Sequence, residues 1–160
     1  MTEQERFDRC LGAVLRLEGG YVDDDRDPGG PTNLGVTQAV LTQALGRPAT
    51  AEAVRALTPE AVRPIYRRLY WDRAGCADLG SGVDLMVFDA AVNMGPATAV
   101  RMLQAAAKAA PPEALIRTLS QARARRYRSL AAFATFGAGW MRRLETVEAL
   151  ALAWAAGEAV

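Results

Sequence analysis

The chain has 160 residues, about half of them hydrophobic, and a net charge of +1, which fits one compact domain with a conventional core and not a disordered chain. It contains no histidine and only two cysteines. That excludes Ser-His-Asp and Cys-His hydrolases, HExxH metalloproteases and His-ligated zinc, and leaves too few thiols for an all-cysteine zinc site.

The first helix reads from about Thr2. Taking Phe7 as zero at ~100° per residue, Leu11 falls near ~40°, Val14 near ~−20° and Glu18 near ~20°. Glu18 therefore stands in the middle of an apolar face, with Gly19 and Gly20 behind it as an expected left-handed cap. Partial burial and the negative end of the helix dipole both disfavour a charged carboxylate. The sequence thus makes Glu18, with a raised pKa, a candidate proton donor near neutral pH. Cys10, on the same helix, and Cys76 read as two free buried thiols, since nothing marks the chain as secreted.

Residues 21–36 form a turn-rich excursion in which Tyr21-Val22 and Leu34-Gly35-Val36 pair as a short hairpin. Asp23, Asp25 and Asp27 occupy the first three ligand positions of an EF-hand loop. The register fails at the sixth position, where Pro28 replaces glycine, and at the twelfth, where Leu34 replaces the bidentate glutamate. The glycines are no phosphate loop, because no GK[ST] follows. A carboxylate at a helix end facing an acidic turn fits glycoside hydrolysis, which needs a proton donor and a second group for a water or for positive charge at the sugar carbon. Asp27 is the best second carboxylate. Thr32 and Thr37 are placed to orient a water, and Tyr21, Asn33 and Gly35 to line a groove.

Thr37 caps a helix over 38–45 that Gly46 ends, Thr50 caps a short helix to about Leu57, and Thr58-Pro59 opens a helix to about Trp71 that Pro64 should bend or delay. Residues 83–94, VDLMVFDAAVNM, are apolar nearly all round, as a central helix should be. Asp89 and Asn93 share one of its faces. Asn93 and Trp71 are candidate saccharide contacts, although an aromatic that ends a helix more often packs in the core; Asp89 reads first as a buried polar partner. Gly95-Pro96 starts a helix to about Ala109, and Pro111-Pro112 is the clearest break. A basic helix over about 113–130, an aromatic link holding Phe133 and Phe136, and a last helix from about Ala138 complete the chain. Residues 1–95 hold 14 acidic and 10 basic groups and residues 96–160 hold 4 and 9. The basic run Arg123, Arg125, Arg126, Arg128 carries no nucleic-acid motif and reads as a solvated helix face.

At this point the segment E-G-G-Y-x-x-D-x-x-D-P-G-G-x-T-N-x-G-V-T, from Glu18 to Thr37, closely resembles the signature of glycoside hydrolase family 108, the N-acetylmuramidases found as phage endolysins and secretion-activator proteins. The resemblance continues through Ile65-Tyr66-Arg67-Arg68-Leu69-Tyr70-Trp71, Val87-Phe88-Asp89-Ala90-Ala91-Val92-Asn93-Met94-Gly95, and Phe136-Gly137-Ala138-Gly139-Trp140-Met141-Arg142-Arg143. It implies a mainly α, lysozyme-like (α+β) fold with a small β-hairpin beside the cleft, and cleavage of the β-1,4 bond between N-acetylmuramic acid and N-acetylglucosamine in peptidoglycan.

The family's catalytic glutamate falls on Glu18. Phage lysozymes have a related order of acid, aspartate and threonine, which Asp27 and Thr32 follow. No metal or organic cofactor is implied. The expected layout is a catalytic part over 1–110 with shortened C-terminal helices over 111–160 packed on the same domain. The "DGxxGxxT" motif usual in members is missing there, which leaves a catalytically inactive wall-binding or secretion adaptor as the alternative. The expected partner is the peptidoglycan glycan strand, met by a monomer without nucleic-acid binding or stable membrane insertion. The polar N-terminus has no signal-peptide core, so synthesis in the cytoplasm is expected, with a holin or other export partner giving access to the cell wall.

Overall fold

The computed structural model describes residues 1–23, 30–108 and 111–158. Helix α1 (Glu3–Leu17) starts in a capping box: Thr2 Oγ1 accepts from the Glu5 N–H at 3.2 Å, and the Thr2 N–H donates to Glu5 Oε2 at 2.6 Å. It buries Phe7, Cys10, Leu11, Ala13 and Val14, the stripe expected from their spacing. Strands β1 (Thr32–Asn33) and β2 (Val36–Thr37) pair antiparallel, Thr32 with Thr37 and Asn33 with Val36. Here the expected strand boundaries are corrected. Leu34 and Gly35 form the turn, at φ 50° and 72°, and Val22 bridges Thr32 on the other side. A two-residue hairpin loop with both residues left-handed matches the twist of its strands.

Helices α2 (Gln38–Leu45), α3 (Ala51–Arg55) and α4 (Pro59–Tyr66) are each capped by the predicted threonine, Thr37, Thr50 and Thr58, accepting from the N–H three residues on at 3.2 Å. Pro64 lies inside α4, and the helix continues beyond it as a π-helical turn over Arg67–Trp71, closed by the Asp72 N–H to the Arg67 carbonyl at 2.9 Å. The helix starts at Pro59, so Pro64 does not delay it, and the π turn begins at Arg67, directly after Tyr66 ends the α-helical part.

Helix α5 (Val83–Met94) is the centre of the fold, with every residue from Val83 to Ala91 buried. Phe88 meets Trp71, Phe7 and Tyr66 edge-on at ring separations of 5.4, 6.0 and 6.2 Å, the geometry that aromatic quadrupoles favour. Gly82 precedes α5 at φ 85°, and a Cβ there would run into the Ala151 carbonyl. Helices α6 (Pro96–Ala106), α7 (Pro112–Ser129) and α8 (Phe133–Ala155) complete the chain. The expected aromatic link is therefore corrected to the first turn of α8. Phe133 and Phe136 are helical, and Gly137 leaves room for the Phe133 ring against the helix. Cys10 and Cys76 are both buried and free, and burial pushes both thiols up. The architecture is mainly α with one small antiparallel hairpin among the described residues, the fold class read from the sequence.

Candidate active site

Helix α1 ends at Leu17, and Glu18 leaves it with an extended backbone at φ −81°, ψ 150°. Neither Gly19 nor Gly20 has a positive φ, so the expected left-handed glycine cap is not formed. The exit turns the Glu18 side chain toward the tip of the hairpin, where it is 18% exposed. A Cβ placed on Gly35 would stand 2.9 Å from Glu18 Cδ and Oε2, and would also collide with the Tyr66 hydroxyl. The hairpin backbone can approach the carboxylate this closely because residue 35 is glycine. Tyr66 Oη donates to the Leu34 carbonyl at 2.9 Å and so seats the tip. Burial pushes the Tyr66 and Tyr70 hydroxyls up, and the negative charge of Glu18 adds to both shifts. Leu34 is the one non-glycine residue with positive φ among the described residues. A left-handed leucine costs about 1–2 kcal/mol, strain of the kind that gathers at functional sites.

The sequence placed Glu18 on an apolar face, and the structure adds a charged neighbour to it there. Glu18 Oε1 pairs with Arg143 Nη1 from α8 at 2.7 Å. The same guanidinium donates through Nε and Nη2 to Asp89 Oδ1 on α5, at 3.0 and 2.7 Å. The other oxygen of Asp89, Oδ2, accepts from Arg123 Nη2 on α7 at 2.6 Å, and both of those side chains are 0% exposed. Arg123 also reaches Tyr127 Oη at 3.2 Å and Met86 Sδ at 3.4 Å, while its Nε is buried with no hydrogen-bond partner among the described residues. Burial opposes the charge of Arg143, but Asp89 and Glu18 outweigh it and raise its pKa. Charges thus alternate Glu18, Arg143, Asp89, Arg123, from the end of α1 across α8, α5 and α7.

The remaining sequence candidates divide. Gly35 lies against Glu18 as described, and Thr32 is half-buried on β1 with its hydroxyl on the Gly30 carbonyl at 3.3 Å. Tyr21 is half-buried, donates to Asp23 at 2.9 Å and carries the Arg55 guanidinium 4.6 Å over its ring. Asp27 lies outside the described residues.

Trp71 is corrected from a saccharide contact to a core residue. The π turn folds it to 0% exposure, with its indole N–H on Glu3 Oε1 at 2.7 Å. Asn33 is likewise corrected: its amide is buried and donates to the carbonyls of Val54, Arg55 and Leu57 at 3.1, 3.0 and 3.4 Å, tying the hairpin to α3. The Thr37 hydroxyl is engaged as the α2 cap. Asn93 is exposed one turn beyond Asp89, whose backbone carbonyl it holds at 3.0 Å.

Sequence reasoning missed Arg143 and Arg123. Arg123 occurs on the buried stripe Ile116, Leu119, Ser120, Arg123, Ala124, Tyr127, so the argument that singled out Glu18 would have found it. It was hidden by reading its run as a solvated face, which holds for the exposed Arg125, Arg126 and Arg128.

The family model described as Glycosyl hydrolase 108 matches residues 11–95. Among solved structures, the chain is similar to SagA of Brucella abortus, with 36% identity and a TM-score of 0.87, over 95% of this chain and 97% of that one. No curated protein matches. The matched family region holds Glu18 and Asp89, whereas both arginines of the charge chain lie beyond it.

Proposed function

Since the chain belongs to the glycosyl hydrolase 108 family and is in general terms a peptidoglycan hydrolase, we propose that it is an N-acetylmuramidase that uses Glu18 as general acid on the bond between N-acetylmuramic acid and N-acetylglucosamine. The observation that carries this reading is a single, mostly buried carboxylate fixed between a hairpin tip and an arginine. Oε1 is taken by Arg143 and Oε2 lies beside Gly35. Oε2 is then the oxygen that hands a proton to the glycosidic oxygen of a glycan strand lying across the hairpin. Asp27 and Thr32 are assigned the other half of the chemistry, holding the water or the developing positive charge. Their sequence order after Glu18 supports that assignment.

No helix among the described residues is long and apolar enough to cross a membrane. We assign the route to the wall to a separate export partner such as a holin, and the working form to the monomer.

The test is Glu18→Gln, which keeps shape and removes the acid. Release of reducing ends from purified sacculi should fall at least ~100-fold, the usual share of a general acid, while the circular dichroism spectrum is unchanged. Mass analysis of the wild-type digest should show muropeptides ending in N-acetylmuramic acid. Full activity in the variant, or a different reducing sugar, would reject the assignment.

A further inference from the structure

The Asp89–Arg123 pair is an expensive feature with no evident return in stability. Both side chains are wholly buried, and Arg123 Nε has no partner among the described residues. Desolvating two ions costs several kcal/mol, and well-packed apolar residues at such positions are commonly as stable or more so. What the pair does accomplish is geometric. Arg123 fixes one oxygen of Asp89, and the other oxygen takes two N–H groups of Arg143. With Nε and Nη2 both committed to one buried atom, the planar guanidinium has a set orientation. Its remaining nitrogen, Nη1, is thereby aimed at Glu18 Oε1. Glu18 needs such a guide, because it sits past the end of α1 on extended backbone and is followed by two glycines. Arg143 is the one cation in ion-pair contact with its carboxylate among the described residues.

We propose that Arg143 is the positioning residue for Glu18, and that the buried Asp89–Arg123 pair exists to hold the Arg143 fork in place. This rests on the reading of Glu18 as the acid. A carboxylate displaced by about 1 Å loses on the order of 100-fold in rate. Such a loss appears in kcat, because neither Arg143 nor Asp89 is assigned any contact with the glycan in its ground state.

The experiment measures kcat and KM on soluble glycan strands for wild type, Glu18→Gln, Arg143→Ala, Arg143→Lys, Asp89→Asn and the Arg143→Ala/Asp89→Asn double variant, with and without guanidinium at concentrations well below denaturing ones. Arg143→Ala should lose on the order of 100-fold in kcat, keep KM within about twofold, and regain several-fold when guanidinium fills the vacated space. Asp89→Asn should lose kcat similarly without rescue. The double variant should be little worse than either single one, as for residues acting in one chain.

If Arg143→Ala does not fold, Arg143→Lys carries the test. It keeps the charge beside Asp89 but cannot span both carboxylates, so its kcat should fall at least ~10-fold at unchanged KM. Wild-type kcat in a folded Arg143 variant, a change confined to KM, or a loss in Arg143→Ala that guanidinium leaves untouched each overturns the proposal. An active Glu18→Gln enzyme instead overturns the reading of the acid, whatever the arginine variants do.

Discussion

Replacing Gly35 by alanine tests the closest approach in the site. The residue has φ 72°, and an added Cβ would be 2.9 Å from Glu18 Cδ and Oε2 while colliding with the Tyr66 hydroxyl. Ordinary contact starts at 3.4 Å, so hairpin tip and carboxylate must separate by at least about 0.5 Å. A left-handed alanine costs about 1–2 kcal/mol, and losing the bond from Tyr66 to the Leu34 carbonyl adds about 1 kcal/mol. At roughly 2–4 °C per kcal/mol for a domain of this size, Tm should fall about 5–10 °C. Since a misplacement of about 1 Å costs on the order of 100-fold, kcat on glycan strands should fall about 10- to 100-fold. Gly46→Ala is the control: its φ of 67° imposes similar strain, but nothing stands within 4 Å of the added carbon. It should lose about 1–2 kcal/mol and no kcat. Equal kcat in Gly35→Ala and Gly46→Ala, read by reducing-end release beside a thermal melt, would show that the hairpin tip does not set the place of Glu18.

Trp71→Phe should lower stability by about 3 kcal/mol, from the bond to Glu3 and the gap left beside Phe7 and Phe88, and leave KM unchanged. A raised KM at undiminished urea midpoint would restore Trp71 as a saccharide contact. Stability should also fall in alkali. Cys10, Cys76 and Tyr66 are all pushed up by burial, so each stays protonated in the folded protein where the unfolded chain ionises, at about 8.5 for the thiols and about 10 for the hydroxyl. Their contribution is whole below those values and is lost as pH rises through them toward the folded pKa. The slope is about 1.4 kcal/mol per pH unit per group, hence about 3 between pH ~8.5 and ~10 and about 4 above. Urea midpoints measured from neutral pH upward under reducing conditions check this, and a flat profile to pH ~10 contradicts it.

The sequence disclosed those parts of the fold that local chemistry decides. Thr37, Thr50 and Thr58 cap the helices they were expected to cap, and the all-apolar run over 83–94 is the central helix within its predicted bounds. Local chemistry misled where packing decides. Phe133 and Phe136 read as a link before the last helix, yet Gly137 lets the Phe133 ring lie along the helix and the α turn continues. Trp71 left a sugar contact and a core position both open, and at the end of the π turn it is fully buried in the core. Period and propensity do not announce a π turn in advance.

The candidate site was legible in the same uneven way. Glu18 was found because a charged residue on an apolar stripe is a local contradiction, and such contradictions gather at functional sites. Arg123 is the same contradiction on α7, and Asp89 is another on α5. What no single-helix pattern contains is that these three, with Arg143, converge from separate helices into one alternating chain of charge. Each ion alone would be costly to bury, and only the closed chain makes the four compatible. Glu18 just past α1 and Arg143 on α8 are joined in that chain. Helices α7 and α8 lie past the region that the family model matches, yet they supply both arginines of the charge chain that reaches Glu18.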